Sequence, residues 1–308
     1  MQLIRGLHNI RQEHRACVAT IGNFDGVHLG HRAMLKTLRA EAQKRRTKTC
    51  VITFEPLPQE HFSIGDAPAR LTTLREKLFL LERCGIAQVL CLSFSNKLSN
   101  IHADDFVKSI LVDGLGANYL VVGDDFRFGY KRKGDFSYLC NMGKEYGFEV
   151  SSSPTESMDG RRISSTRVRY ELAADRLPEA NQLLGHPLTI IGRVIKGRQL
   201  GRELGFPTAN IRIGRHKVPA TGVFAVNVYF ENTRYNAVAN VGVRPTVTAN
   251  TQLLEVHILN FHRDIYGREL RVEFVEKIRD ECKFDSLEAL SKAIGKDVLA
   301  ACSLSKQS

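Results

Sequence analysis

The sequence predicts an α/β chain in two parts: a parallel, doubly wound sheet, then an antiparallel β-barrel or sandwich closed by a terminal helix. Three observations carry this expectation. Through the first half, apolar β-branched runs alternate with stretches of helical periodicity, as in successive strand-helix-strand units. Beyond about residue 186, strand-like runs follow one another across short turns with no helix between them, the texture of an antiparallel barrel. The length of 308 residues exceeds what one ordinary core serves, so two domains are expected, over residues 1–185 and 186–308.

The elements follow in order. "ACVATIG" (16–22) reads as a buried strand, and residues 30–46 as a helix with Met34, Leu35, Leu38 and Ala42 on one face. "TCVITF" (49–54) is a strand stopped by Pro56 and Pro58, and a helix starts near Thr73 with Leu74, Leu78 and Leu81 in register. "QVLCL" (88–92) is a strand, residues 103–112 a helix, "NYLVVG" (118–123) a strand, 137–146 a helix, and "FEVSS" the last strand of this part. These strands are apolar throughout, which suits burial on both faces of a parallel sheet. A helical stretch over 165–184 leads to the change of texture. "TIIGRVI", "GVFAVNVYF", "NAVANVGV", "LLEVHIL" and "LRVEFVEKI" are then the strands of the second part. A closing helix begins at Asp285, where Asp285 and Glu288 have the spacing of a capping box and Leu287, Leu290, Ile294 and Val298 form the apolar stripe.

Composition narrows the function classes. With 43% hydrophobic and 25% charged residues the chain has the make-up of a soluble globular protein, and no apolar run reaches the roughly 18 residues of a membrane span. A net charge of +11 favours anionic partners. The seven cysteines form no C-x-x-C pair and several sit in apolar runs, so they read as small hydrophobes in a reducing, cytoplasmic setting rather than as disulfides or a zinc site.

The chemistry begins at "GNFDGVHLGH" (22–31). It lies where the first strand hands over to a helix, whose N-terminus offers unpaired N–H donors and about half a positive charge. Gly22 and Gly26 permit tight or left-handed backbone, and Gly30 clears space for a ligand. His28 and His31, three apart, fall on one helix face. Asn23 and Asp25 are placed for ribose, amine or metal. "GRRISSTRVR" (160–169) offers a second such start: Ser164, Ser165 and Thr166 are placed to cap a helix, and Arg167 suits phosphate oxygens seated against it. Two anion-ready helix starts at opposite ends of one domain are expected to clamp a triphosphate. Phe54, Phe62, Phe126 and Phe128 are aromatic candidates to flank a flat ring. Core filling is the simpler reading for any one of them. Lys131, Arg132 and Lys133 read as a solvated basic loop or a phosphate contact.

In the second part, Gly192 to Gln199 misses a P-loop because the Lys-Ser/Thr is absent. Gly197, Gly201 and Gly205, with Arg198 and Arg202, leave either a mobile basic flap over phosphates or a glycine-rich barrel turn. In "FPTAN", Pro207 fixes the backbone, and Thr208 and Asn210 point the same way if the segment is extended. Two neutral oxygens there suit Mg²⁺ when substrate phosphates bring the charge. In "LLEVHIL", Leu254, Val256 and Ile258 alternate with Glu255 and His257. Glu255 is then a candidate base for an alcohol, or simply a surface carboxylate.

The motifs taken together carry a resemblance. "HLGH" (28–31) is similar to the H-x-G-H signature of the adenylyl- and cytidylyltransferase superfamily, and "ISSTR" (163–167) to its second phosphate-binding motif. "GRELGFPTANI", "GVFAVNV", "NVGVRPTV", "LEVHILNFHRDIYGREL" and "IRDECKFDSLEAL" resemble the riboflavin kinase family across the second half. In this order the halves resemble the bacterial bifunctional riboflavin kinase/FAD synthetase family. The resemblance implies a Rossmann-like nucleotidyltransferase domain followed by a six-stranded Greek-key barrel. It implies phosphorylation of riboflavin by ATP with Mg²⁺ to FMN, then adenylylation of FMN by a second ATP to FAD and pyrophosphate.

The resemblance also implies site residues. His28, His31 and Arg167 would serve adenylyl transfer, with Gly22, Asn23, Phe24, Asp25, Gly30, Ser164, Ser165 and Thr166 around its ATP. Phe54, Pro56, Pro58, Phe62, Asp125, Phe126 and Phe128 would be near FMN. In the kinase, Gly197, Gly201, Gly205 and Pro207 would take ATP, Thr208 and Asn210 the metal, Glu255 the ribityl hydroxyl proton, and Arg279 and Phe284 the flavin edge. The expected partners are riboflavin, FMN and ATP, without nucleic acid or membrane, in a monomer or weakly self-associating oligomer. The alternatives from the residues are an RNA-binding protein related to class I aminoacyl-tRNA synthetases, or a single-activity nucleotidyltransferase with an accessory barrel.

Overall fold

Strand β2 (Val18–Ile21) is buried along its whole length, as is most of β3 (Thr49–Glu55) and β4 (Gln88–Ser93). With β1 (Gln2–Arg5), β5 (Tyr119–Gly123) and β6 (Glu149–Ser153) they form a six-stranded sheet in the order β1-β4-β3-β2-β5-β6, parallel at every pairing. Alternate residues face opposite sides. Val18 and Val51 pack with Leu35, Leu38, Leu80 and Leu81, from helices α1 (Leu29–Lys44) and α3 (Leu74–Arg83). Ala19, Ile21, Cys50 and Ile52 pack with Phe106, Ile110, Leu139 and Met142 on the other face. Those come from α5 (Ala103–Phe106), its π-helical continuation Val107–Val112, and α6 (Phe136–Tyr146). Short helices α2 (Pro58–Phe62) and α4 (Asn96–Ser99) lie in the connections. The sheet is doubly wound, as the alternation predicted. Its strand order reverses at β2, between β3 and β5, and ligands of open parallel sheets settle at the strand ends beside such a switch.

The computed structural model describes residues 1–63, 65–197, 201, 204–214, 218–245 and 250–304. By contacts the chain divides into two compact units, Met1–Pro68 with Lys77–Ser164, and Ala69–Glu76 with Ser165–Ser308. The first unit also holds a hairpin of β7 (Ser157–Met158) and β8 (Arg161–Arg162). Asp159 and Gly160 turn it, both at positive φ, as a two-residue hairpin turn requires.

The second unit contains a closed barrel of β9 (Thr189–Ile195), β10 (Ala209–Arg212), β11 (Gly222–Phe230), β12 (Thr233–Pro245), β13 (Asn250–Ile258) and β14 (Glu269–Arg279), in the order β10-β13-β12-β11-β14-β9. All six pairings are antiparallel. Three hairpin-linked strands with β14 returning beside β11 make a Greek key. Helix α9 (Leu287–Leu304) covers Val223, Ala225 and Val238 through Val298, Ala301 and Leu304.

Three local expectations change. The stretch 165–184 is two helices, α7 (Ser165–Ala173) and α8 (Leu177–Leu184), because Asp175 adopts positive φ between them. The cap of α9 is Ser286, whose hydroxyl accepts from the Ala289 N–H at 3.1 Å, and not Asp285. Strand β1 escaped prediction because Ile4 is its single buried residue. Among the described residues no cysteine is in a disulfide; Cys17, Cys50 and Cys91 are buried, whereas Cys282 is exposed.

Candidate functional sites

Strand β2 ends in a turn with an unusual backbone. Phe24 (φ 46°), Gly26 (φ 84°) and Val27 (φ 41°) all lie in the left-handed region. For Phe and Val that conformation is strained and persists only where packing over-determines it. Both side chains are buried in the core beneath the turn. The result delivers His28 to the N-cap of α1, so the helix begins at Leu29. His28 Nδ1 accepts from the His31 N–H at 3.4 Å, which in the neutral imidazole puts the ring proton on Nε2. The two imidazoles stack with centroids 3.7 Å apart and planes 20° apart, and Phe24 backs His31 at 4.9 Å. A Cβ on Gly30 would come within 3.3 Å of the His28 ring and 3.6 Å of the Ile163 carbonyl. That carbonyl brings the start of the "ISSTR" segment against this turn.

Burial holds His31 well below the usual histidine range, aided by repulsion from His28, Lys77 and Arg162. It is therefore a neutral imidazole at neutral pH, and its buried Nδ1 has no hydrogen-bond partner among the described residues. Arg162 pairs with Asp125 at 2.7 Å, and this pairing keeps the Asp125 carboxyl below its ordinary range. Asn23 and Asp25 lie in the turn, Asp25 buried, and the Asn23 carbonyl accepts from Thr53 at 3.4 Å. Stacked imidazoles at a helix N-terminus, with Arg162 within electrostatic range of His31, gather the kind of donors that suit an anion beside the topological switch. The spacing of "HLGH" foretold the pair; Arg162 and Lys77 were not singled out. Arg162 stood in plain view in the quoted "GRRISSTRVR". Lys77 sat in an ordinary amphipathic helix with no local signal.

The aromatic candidates divide. Phe128 is 7% exposed and belongs to the core, and Phe54 and Phe126 pack against that core. Phe62 is 69% exposed at the end of α2, in edge contact with Phe94 at 5.6 Å and beside His61. Pro58 opens α2, and Pro56 precedes it. Lys131 and Arg132 are in a short turn, both at positive φ. Ser164 ends the first unit, while Ser165, Thr166 and Arg167 open α7 in the second.

In the barrel, register builds the site. Asn210 on β10 and Asn240 on β12 are both paired with Glu255 on β13, so three polar side chains meet on the face toward α9. A cavity of about 230 Å³ is lined there by Thr208, Asn210, Asn240, Glu255, His257 and Arg279, with Phe284 and Asp297 at its helix side. His257 Nδ1 bonds the Pro207 carbonyl at 2.9 Å. Asn240 donates to Glu281 at 2.9 Å, and its Oδ1 is buried with no partner among the described residues, an acceptor that suits an alcohol. Asp297, 4% exposed, grips Arg279 through two bonds of 2.9 and 2.8 Å, and the guanidinium lies 5.5 Å from the Phe284 ring.

A second cavity of about 490 Å³ shares Thr208 and is lined by Gly205, Pro207, Phe261, His262, Arg263 and Tyr266. Gly197 lies so close to Asn210 that a Cβ would meet its amide at 2.3 Å. Gly201 borders the first cavity; Arg198 and Arg202 lie outside the described residues. Sequence reading missed Asn240, Glu281 and Asp297, because their meeting with Glu255 and Arg279 depends on which strands and helix are neighbours. Among the described residues no cluster of three His, Cys, Asp or Glu is arranged for a metal. The neutral oxygens of Thr208 and Asn210 beside Glu255 instead fit a cation that arrives on phosphates.

Residues 10–167 match the FAD synthetase family and residues 184–304 the riboflavin kinase family. The chain is 50% identical to a bifunctional riboflavin kinase/FMN adenylyltransferase of Pseudomonas fluorescens, over 100% of this chain and 99% of that one. It is 49% identical to the Escherichia coli K12 protein of the same description, covering 98% and 97% of the two chains, and 46% identical to that of Haemophilus influenzae, covering 98% of each. A crystal structure described as a macrolide-efflux protein from Streptococcus pneumoniae aligns with TM-score 0.84 at 30% identity, over 98% of this chain and 99% of that one. Among the described residues no helix is long and apolar enough to cross a membrane.

Proposed function

The chain belongs to the bifunctional riboflavin kinase/FMN adenylyltransferase family, and from that premise we propose which of its residues perform each reaction. Residues 1–185 carry adenylyl transfer and residues 186–308 carry riboflavin phosphorylation. The observation that carries this assignment is the presence of two separately built sites, the stacked His28–His31 pair in one unit and the Glu255–Asn210–Asn240 set in the barrel.

In adenylyl transfer the FMN phosphate attacks the α-phosphorus of ATP in line, and pyrophosphate leaves. No covalent intermediate forms, so catalysis is positioning plus stabilisation of charge on the transferring group. His28 donates from Nε2 to that phosphate. His31, kept neutral, donates without presenting a second buried charge beside His28 and Lys77. Ser164, Ser165, Thr166 and Arg167 hold the β- and γ-phosphates that become pyrophosphate. Gly22, Asn23, Phe24, Asp25 and Gly30 shape the nucleotide end. Asp125 and the aromatic group Phe54, Phe62, Phe126 and Phe128, with Pro56 and Pro58, border the FMN.

In the barrel, riboflavin lies in the cavity under α9 with its ring toward Phe284 and Arg279, and ATP takes the cavity lined by Pro207, Phe261 and Tyr266. Glu255 removes the proton from the ribityl hydroxyl as that oxygen attacks the γ-phosphorus. Thr208 and Asn210 would hold Mg²⁺, which neutralises phosphate charge when bound. Gly197, Gly201 and Gly205 let backbone approach the phosphates. The setting we propose is cytoplasmic. Incubating the full-length protein with riboflavin, ATP and Mg²⁺ and separating the flavins is the direct test. FMN followed by FAD is expected; FMN alone, or no flavin product, would sink the two-site assignment.

A further inference from the structure

Lys77 is 0% exposed. Lysine is among the residues least often found inside a protein, and burying an ammonium is costly unless it is well bonded. Such a cost is kept where it serves a purpose. Lys77 Nζ donates to Thr53 Oγ1 at 3.3 Å. Thr53, on β3 and also 0% exposed, donates onward to the Asn23 carbonyl at 3.4 Å. Asn23 immediately precedes the strained run of Phe24, Gly26 and Val27 that delivers His28 to the helix cap. The three groups form a relay with one direction of donation, ending on the backbone of the turn.

We propose that Lys77 is a positioning residue for adenylyl transfer: through the Thr53 hydroxyl it anchors the Asn23 carbonyl, and with it the turn that sets the stacked histidines. This rests on reading the histidine pair as the transfer site. Strained backbone relaxes when one of its restraints is lost, and without this anchor the turn would shift and carry the imidazoles off the phosphate. A displacement of about an ångström at a reacting centre costs about a hundredfold in rate. Lys77 is sealed from solvent and acts through the turn. Its charge has a second effect in the same sense: with His28 and Arg162, the latter paired to Asp125, it disfavours protonation of His31.

The full-length protein provides its own folding control, because the kinase reaction does not use these residues. Lys77→Met and Thr53→Val are each expected to lower kcat for FAD formation from supplied FMN by about a hundredfold. KM for ATP and the rate of FMN formation should stay within about threefold. Thr53→Ser, which keeps the hydroxyl, should recover most of the rate that Thr53→Val loses. The Lys77→Met/Thr53→Val double variant should be no slower than the worse single one, since both cut the same relay. If Lys77→Met does not fold, the Thr53→Val and Thr53→Ser pair decides with the lysine in place. Parental FAD formation in folded Lys77→Met, equal rates in the two Thr53 variants, or multiplying losses in the double variant would overturn the proposal. Running His31→Ala alongside separates the two ideas: if that variant keeps FAD formation, the underlying site reading fails, whereas an inactive His31→Ala with unaffected Lys77→Met removes the relay alone.

Discussion

The site after β2 is written by one short stretch of chain, whereas the barrel site is assembled from strands far apart in sequence. Between Gly22 and His31 the turn, the helix cap and both imidazoles are local, and stacking at 3.7 Å follows from spacing on a helix start. In the barrel, Asn210, Asn240 and Glu255 meet because β10 and β12 flank β13 in one register. The first arrangement stores its precision in backbone strain held by a packed floor; the second stores it in a hydrogen-bonded ladder. The two should fail differently.

The largest expected contrast is between His31→Ala and Glu255→Ala. The first should abolish FAD formation, by about a thousandfold or more, and spare FMN formation. The second should do the reverse when FMN is supplied. Assaying each product separately checks this, and loss of both activities from either folded variant would deny independent sites. Next comes Asp297→Asn. It removes the carboxylate that holds Arg279 through two bonds, leaving the Asp280 carbonyl and the charge of Glu281, which should cost about 2 kcal/mol of barrel stability and loosen α9 over the cavity it lines. Denaturant unfolding of the variant, followed through FMN formation, reads it, while FAD formation from FMN should persist at concentrations that inactivate the kinase.

A smaller effect is expected of Gly197→Ala. Its Cβ would stand 2.3 Å from the Asn210 amide, and overpacking of that size, about 1–3 kcal/mol, should slow FMN formation by about tenfold or more. A raised Mg²⁺ requirement would locate the damage at Asn210, and an unchanged one would place it elsewhere. The smallest effect is in pH. Because His31 is held below its ordinary value of 6.5 in the folded state, the unfolded chain binds the extra proton first. The neutral histidine's contribution is thus complete above that ordinary value and is lost as pH falls from it toward the folded value. Stability of the first unit should drop as pH falls below about 6.5. A His31→Gln variant should show a shallower drop in parallel denaturation curves.

Legibility followed the range of the interactions. His28, His31 and Gly30 announced themselves by spacing, whereas Glu255 read from its strand alone as a surface carboxylate and stood out only through the family resemblance. Arg162 carries no local signal of its role, because the β7–β8 hairpin is what brings it to Asp125 and within electrostatic range of His31. Lys77 gave no sign, because a lysine in an amphipathic helix ordinarily faces water. Asp297 was equally silent: its partner Arg279 is eighteen residues away on another element.

By itself the sequence determined the alternation that winds the first sheet, the antiparallel texture of the second half, and the glycine–histidine turn, since each depends on residues within a few positions of one another. Tertiary structure alone decided that α9 begins at Ser286's cap, that 165–184 breaks in two, that Asn240 joins Glu255, and that a buried ammonium stands beneath the turn. Those outcomes turn on strand order, register and burial, quantities set by the packing of the whole unit and absent from any local stretch of chain.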